Sequence, residues 1–187
     1  LALNSGTIRD AAGNNSTLTH NAVSANSSYK VDTTAPTANF TAATDDVGTV
    51  QGALSSGNTT DDTALVLSGS NESGSSVKVY NGSSELGSAT VSGTSWSYTA
   101  TVANGVTYQF NVRETDLAGN TSNATSNLEV TGDTIPLTVS SVAITGASGA
   151  QNNFVNAGDL LSVTVNFTEN ASVTGTPQLT LVVGSTP

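Results

Sequence analysis

The chain has 187 residues, with fourteen Asp plus Glu against four Lys plus Arg, a single His, no Cys and no Met, and a formal net charge of −10. Such a surface repels nucleic acid and anionic membranes and suits cations. The absence of cysteine excludes a disulfide framework and thiolate metal ligation. No apolar run approaches the roughly 18 residues of a spanning helix, and no charged-then-apolar signal segment opens the chain. Helix formers never gather into an amphipathic stretch, so an all-β fold is expected. The chain begins with Leu1, and we expect it to be a segment of something longer.

In chain order, residues 1–31 open with "RDAAGNNS" at 9–16 and run to a linker, "VDTTAP", at 31–36. Strands are then predicted at 37–43 with Phe40, at 63–68 with Leu65 and Leu67 inward, at 76–81 with Val77 and Val79, and at 84–91 with Leu86, Ala89 and Val91. Further strands are predicted at 95–102 with Trp96, Tyr98, Ala100 and Val102, at 106–115, and at 124–131 with Leu128 and Val130. In "VTYQFNVRET" the alternation sends Tyr108, Phe110 and Val112 one way and Gln109, Asn111 and Arg113 the other. The stretch 44–62 is too long for a structureless connection, and Val47, Val50 and Leu54 are expected to pin a short extra strand there. Turn signals such as Asn81-Gly82 and Asn104-Gly105 separate the strands, and seven short strands in about a hundred residues predict an immunoglobulin-like sandwich. Residues 137–187 read as first strands of another unit, with Val142, Ile144, Leu161, Val163, Val165, Phe167, Leu179 and Leu181 facing a core. Trp96 and Tyr98 read as core rather than as a ligand platform, and the many Asn-x-Ser/Thr triplets as a consequence of composition.

Two phrases recur in the same order. "VDTTAP" returns as "TGDTIP" at 131–136, and "RDAAGNNS" returns as "TDLAGNTS" at 115–122. A repeat of domain length predicts tandem sandwiches: residues 1–31 as the C-terminal remnant of one repeat, 32–133 as a complete repeat, and 134–187 as the N-terminal part of a third.

Alternating strand directions place the leading linker with Asp32, the loop with Asn71 and Glu72, and the loop with Asp116 at one pole of the central sandwich. The pairs Asp45-Asp46 and Asp61-Asp62 fall at the opposite pole with Asp133. Four basic residues are too few to neutralise these carboxylates, and a divalent cation relieves their repulsion. Calcium, which takes six to eight oxygens at about 2.3 to 2.6 Å, fits Asp, Asn and loop carbonyls. The other reading is that Asp and Asn simply build turns and face water. Zinc is disfavoured, since His20 stands alone.

The phrases "VDTTAPT", "TDDVGTVQG", "TTDDTALVLSG", "VKVYNGSSELGSATV", "WSYT" and "ETDLAGNTS" resemble the bacterial immunoglobulin-like repeats of giant RTX-type and biofilm-associated surface adhesins exported by type I secretion. The resemblance covers residues 32–133. It implies an extracellular stalk at the bacterial cell surface, serving adhesion or biofilm formation and stiffened by calcium at domain junctions. Residue by residue it nominates Asp32, Asp45, Asp46, Asp61, Asp62, Asp116 and Asp133 as metal ligands, although "GDTIP" departs from "DTTAP". The flanks resemble sister repeats. Asp10 there matches Asp116, and Glu169 stands in the loop position that Glu72 holds in the central unit.

Three other functions compete with the stalk. A carbohydrate-binding tip would present exposed aromatics, whereas all strong aromatics except Tyr29 and Tyr80 fit inward positions. An enzyme using His20 has no acid near it in sequence but Asp10, there is no Gly-x-Ser-x-Gly elbow, and the neighbours Asp61 and Asp62 would point to opposite faces of a strand. No catalytic activity is therefore expected. A calcium-dependent surface-layer or self-assembling filament subunit is the alternative to the stalk. The expected partners are neighbouring repeats of the same long chain, or adjacent copies head to tail.

Overall fold

The computed structural model describes residues 6–17, 26–152 and 154–180. The residues there form strands and no helix. His20 lies outside the described residues, as does Leu181.

The strands are β1 (Ala42–Asp45), β2 (Gly52–Ala53), β3 (Asn58–Thr60), β4 (Ala64–Ser70), β5 (Ser76–Asn81), β6 (Ser84–Ser88), β7 (Thr90–Ser92), β8 (Ser95–Thr101), β9 (Thr107–Thr115), β10 (Leu128–Gly132), β11 (Val139–Ser148) and β12 (Leu160–Phe167). The first ten make two five-stranded sheets, ordered β2-β1-β4-β8-β7 and β3-β10-β9-β5-β6. Strict alternation on the long strands puts Leu65, Leu67, Trp96 and Ala100 of the first sheet and Val77, Val79, Phe110, Val112 and Val130 of the second into one buried cluster. Each Val, Leu or Phe among them contributes about 1.5 to 3 kcal/mol on leaving water. With no disulfide available, this core holds the sandwich together.

The structure departs from the sequence reading where backbone groups find partners that periodicity does not show. Residues 37–41 lie outside the regular ladder predicted to begin at 37. Trp96 Nε1 donates to the Asn39 carbonyl at 3.0 Å, and Gly69, opposite Trp96 on β4, leaves room for that carbonyl. Phe40 packs against Trp96 with ring centroids 5.8 Å apart. At 124–127 the Thr125 hydroxyl accepts from Val112 N in place of a strand carbonyl, so the ladder of the last strand begins only at Leu128.

The expected single strand at 84–91 is two. β6 stays with β5, and β7 crosses to pair with β8. The break falls at Ala89, whose N–H still donates to the Val77 carbonyl, two residues after Gly87 with its φ of 151°. Leu86 is consequently exposed.

The stretch 44–62 also holds two short strands rather than one. β2 pairs antiparallel with β1, whereas β3 pairs parallel with β10 in the other sheet. The chain thus switches sheets within one connection. Leu54 packs on the core, but Val47 and Val50 are exposed, Val50 at 80%. Strand pairing through Leu54 N to the Ala43 carbonyl, not the two valines, fixes this segment.

β11 and β12 form an antiparallel ribbon that sets Val142 opposite Val165 and Ile144 opposite Val163. The expected core contacts are not made among the described residues: Val142, Ile144, Phe167 and Leu179 are all exposed, Ile144 at 61%. Phe154 is exposed too, so aromatics other than Tyr29 and Tyr80 face solvent. A two-stranded ribbon carries its apolar face on one side and buries it only against a second layer.

Candidate cation sites at the two ends of the sandwich

At one end, β1, β3 and β10 finish side by side. Asp45 at the end of β1, Asp61 just after β3 and Asp133 just after β10 line one cavity of about 200 Å³ together with Thr49, Val50, Thr59 and Thr60. Asp133 N donates to the Thr60 carbonyl, which ties the outgoing chain to β3. Asp45 is buried; its Oδ2 accepts from Thr60 Oγ1 at 2.8 Å and its Oδ1 from Val47 N at 3.0 Å. The loop at Gly48, with φ of 67°, passes so close over the Asp61 carboxylate that a side chain there would collide with it. Asp62 is buried as well. Its Oδ1 accepts from Ala64 N at 2.7 Å, while Oδ2 has no hydrogen-bond partner. Asp46 is exposed, and its carbonyl accepts from the Gln51 amide.

At the other end, β4 gives way to β5 and β9 finishes. Asp116 closes its loop on Asn120, accepting the backbone N–H at Oδ1 (2.8 Å) and the side-chain amide at Oδ2 (2.9 Å). The side-chain bond from Asn120, followed by the backbone donors, holds the Asp116 carboxyl below the usual carboxylate range. Asp10 does the same with Asn14, and its acidity is raised for the same reason. The Asn120 amide also donates to the Asp32 carbonyl at 3.2 Å, fastening the leading linker to this end. The Asp32 carboxylate turns back on Thr34 N. Glu72 is exposed in the β4–β5 loop and Glu169 is exposed beyond β12.

The structure therefore gathers Asp45, Asp61 and Asp133 around one space. It engages Asp10, Asp32 and Asp116 in turns and leaves Asp46, Glu72 and Glu169 apart. Among the described residues, no three or more His, Cys, Asp or Glu side chains stand close enough together to hold a metal ion by themselves.

One carboxylate at the second end escaped the sequence reading. Glu114, near the end of β9, is 0% exposed. Its Oε1 accepts from Glu72 N and from Ser75 Oγ, both at 2.5 Å. Its parity had the signal, since 114 follows 108, 110 and 112 on the inward face of the strand. A cleft of about 480 Å³ between residues 38–42 and 125–128 carries no titratable side chain.

The family profile of the bacterial Ig-like domain matches residues 32–134, more than half of the chain. No curated protein and no solved structure matches. Domains of this kind are non-catalytic and typically occur in extracellular or surface proteins, and among the described residues no helix is long and apolar enough to cross a membrane. The matched span is the ten-stranded sandwich with its two fastened linkers, and on that ground the chain belongs to the bacterial Ig-like domain family.

Proposed function

We propose that this chain is a length of stalk from a large bacterial surface adhesin exported by type I secretion, in which tandem Ig-like repeats (1–31, 32–133 and 134–187) are stiffened by calcium at their junctions. The observation that carries the reading is the convergence of Asp45, Asp61 and Asp133, from three different elements, on one cavity beside the outgoing linker. Among the described residues the one ion pair joins Lys78 to Glu85, far along the sheet, so these carboxylates have no cationic side chain to offset them. The donor set is all oxygen, which fits a hard cation. The three carboxylates line the space without closing on one point, so a bound ion would also draw on carbonyls, water or groups of a following repeat.

The paired loops support the array. Asp10 N and Asp116 N each donate to the carbonyl of the Asn four residues on, Gly13 N and Gly119 N each donate back to the Asp carbonyl, and Ser16 N and Ser122 N each reach the residue two before the Asp. Residues 8–16 thus fold as residues 114–122 do.

Extracellular calcium is near millimolar, so a site with a dissociation constant of about 10⁻⁴ M would be mostly filled. Small-angle scattering of a multi-repeat array with and without chelator tests the reading. The expected result is a shorter maximum dimension after chelation with the sandwiches still folded, and an unchanged dimension overturns it.

A second reading, a calcium-dependent surface-layer or filament subunit, is favoured by the uncovered apolar face of the β11–β12 ribbon, which a neighbouring copy could cover. Sedimentation of the purified chain with calcium separates the two. Reversible head-to-tail oligomers support the filament, and a monomer at all concentrations supports the stalk.

A further inference from the structure

The seam between the two sheets is closed along only part of its length. At the Asp45–Asp61–Asp133 end the segment 52–60 bridges it, with β2 on β1 and β3 on β10. That cover stops at Glu129, whose carbonyl accepts from Gly57 N. Beyond it opens the cleft of about 480 Å³, where Phe40, Leu54 and Leu128 form a half-buried apolar floor. Strand edges stand open on both walls. Asn127 shares the parity of Glu129, so its N–H and carbonyl point outward past the end of β3, and Thr41 N is bonded to β4, so those of Phe40 point away from β4. Among the described residues, neither Asn127 nor Phe40 makes a backbone–backbone hydrogen bond.

An open strand edge beside an apolar floor is what an added strand requires: main-chain bonds hold it, and alternate side chains fill the floor. The β11–β12 ribbon has the matching half. Each of its strands keeps one edge unpaired, Leu161, Val163 and Val165 alternate along β12, and Ile144, opposite Val163, is exposed. Charge selects the same two surfaces. The chain carries a net charge of −10, so two copies repel wherever their carboxylates meet. Neither the cleft nor β11 nor β12 holds a charged side chain. A single chain leaves both uncovered, and a second copy can cover both.

We propose that the cleft is a docking site for a second copy of this chain, whose ribbon adds the β12 edge to the open edge at Asn127 and seats apolar side chains on Phe40, Leu54 and Leu128. Cleft and ribbon are different surfaces, so the contact is heterologous and passes from copy to copy. This deepens the filament reading above and rests on it.

Sedimentation of the full chain over a range of concentrations tests the contact, with Ser126→Lys in the wall of the cleft and Ile144→Lys on the ribbon, both at exposed positions. The wild type should form reversible oligomers, and its Asn127 amide should gain protection against hydrogen exchange as concentration rises. Each variant alone should sediment as a monomer, because a lysine at a strand edge or on the apolar contact blocks pairing. An equimolar mixture of the two should give a dimer and nothing longer, since one intact cleft then meets one intact ribbon. A wild type that stays monomeric at every concentration overturns the proposal together with the filament reading. Oligomers that Ser126→Lys leaves intact overturn the proposal alone, the ribbons then covering one another. Should Ser126→Lys fail to fold, as read by circular dichroism, the wild-type Asn127 amide decides, and exchange there that ignores concentration while oligomers form overturns the site.

Discussion

Asp116 and Asn120 close a loop in which both carboxylate oxygens are taken, Oδ1 by the Asn120 N–H and Oδ2 by its side-chain amide. Asp10 and Asn14 repeat the arrangement at 2.9 Å and 2.8 Å. A carboxylate bonded in this way builds the turn, and each of its oxygens keeps a further lone pair.

The first prediction concerns acid. Hydrogen bonds, led by that from the Asn120 side chain, depress the folded-state pKa of Asp116. The contribution of this group is therefore fully present above the unfolded-state value of about 3.9 and is lost as pH falls through the lowered folded value. The protection of the Asn120 amide against hydrogen exchange, relative to its intrinsic rate at each pH, should persist from neutrality down to about pH 4 and fall below it. In Asp116→Ala that protection should be lost at every pH. A protected Asn120 amide in that variant at neutral pH would remove Asp116 as the anchor of the loop.

Gly69 and Gly146 make a paired test of close packing. A side chain on Gly69 would run into the Asn39 carbonyl and the Trp96 indole, whereas on Gly146 it would meet only Ser162 atoms at 3.7 and 3.8 Å, ordinary contact distances. Gly69→Ala should destabilise the sandwich by about 1 to 3 kcal/mol, and Gly146→Ala should be near neutral. Urea unfolding followed by emission of Trp96, the one tryptophan, measures both. Equal costs would mean that residues 37–41 do not lie against β4 and β8 as described.

Phe110 and Ile144 sit on two long strands with opposite fates. Phe110 is fully buried between the sheets, and Ile144 is exposed on the β11–β12 ribbon. Truncation to alanine should cost about 3 to 5 kcal/mol at Phe110 and stay within about 0.5 kcal/mol at Ile144. Denaturation monitored by circular dichroism would detect the difference. A large loss at Ile144 would show that something covers the ribbon in solution.

Much of this protein is written in its residue order. Alternation alone specifies which faces of β4, β5, β8 and β9 are buried, because a strand in a two-layer sandwich has one wet side and one dry side, and Leu65, Val79, Ala100 and Phe110 follow that rule. Turn chemistry marks the connections, and the recurring Asp-x-Ala-Gly-Asn phrase folds the same way twice because its hydrogen bonds are local. The acidic balance and the missing cysteines are likewise plain from composition.

Only the tertiary structure decided the rest, since it depends on partners distant in sequence. The switch of the chain between sheets at 44–62 and again at Ala89 is set by which neighbouring edge offers free backbone groups, and hydrophobic periodicity is blind to that. The meeting of Asp45, Asp61 and Asp133 around one cavity requires β3 to pair in parallel with β10, a contact across some seventy residues of chain. Glu114 shows the same limit from the other side. Its parity points inward as clearly as that of Phe110, but whether a buried carboxylate is matched depends on Asn71, Glu72 and Ser75, which the fold alone brings to it.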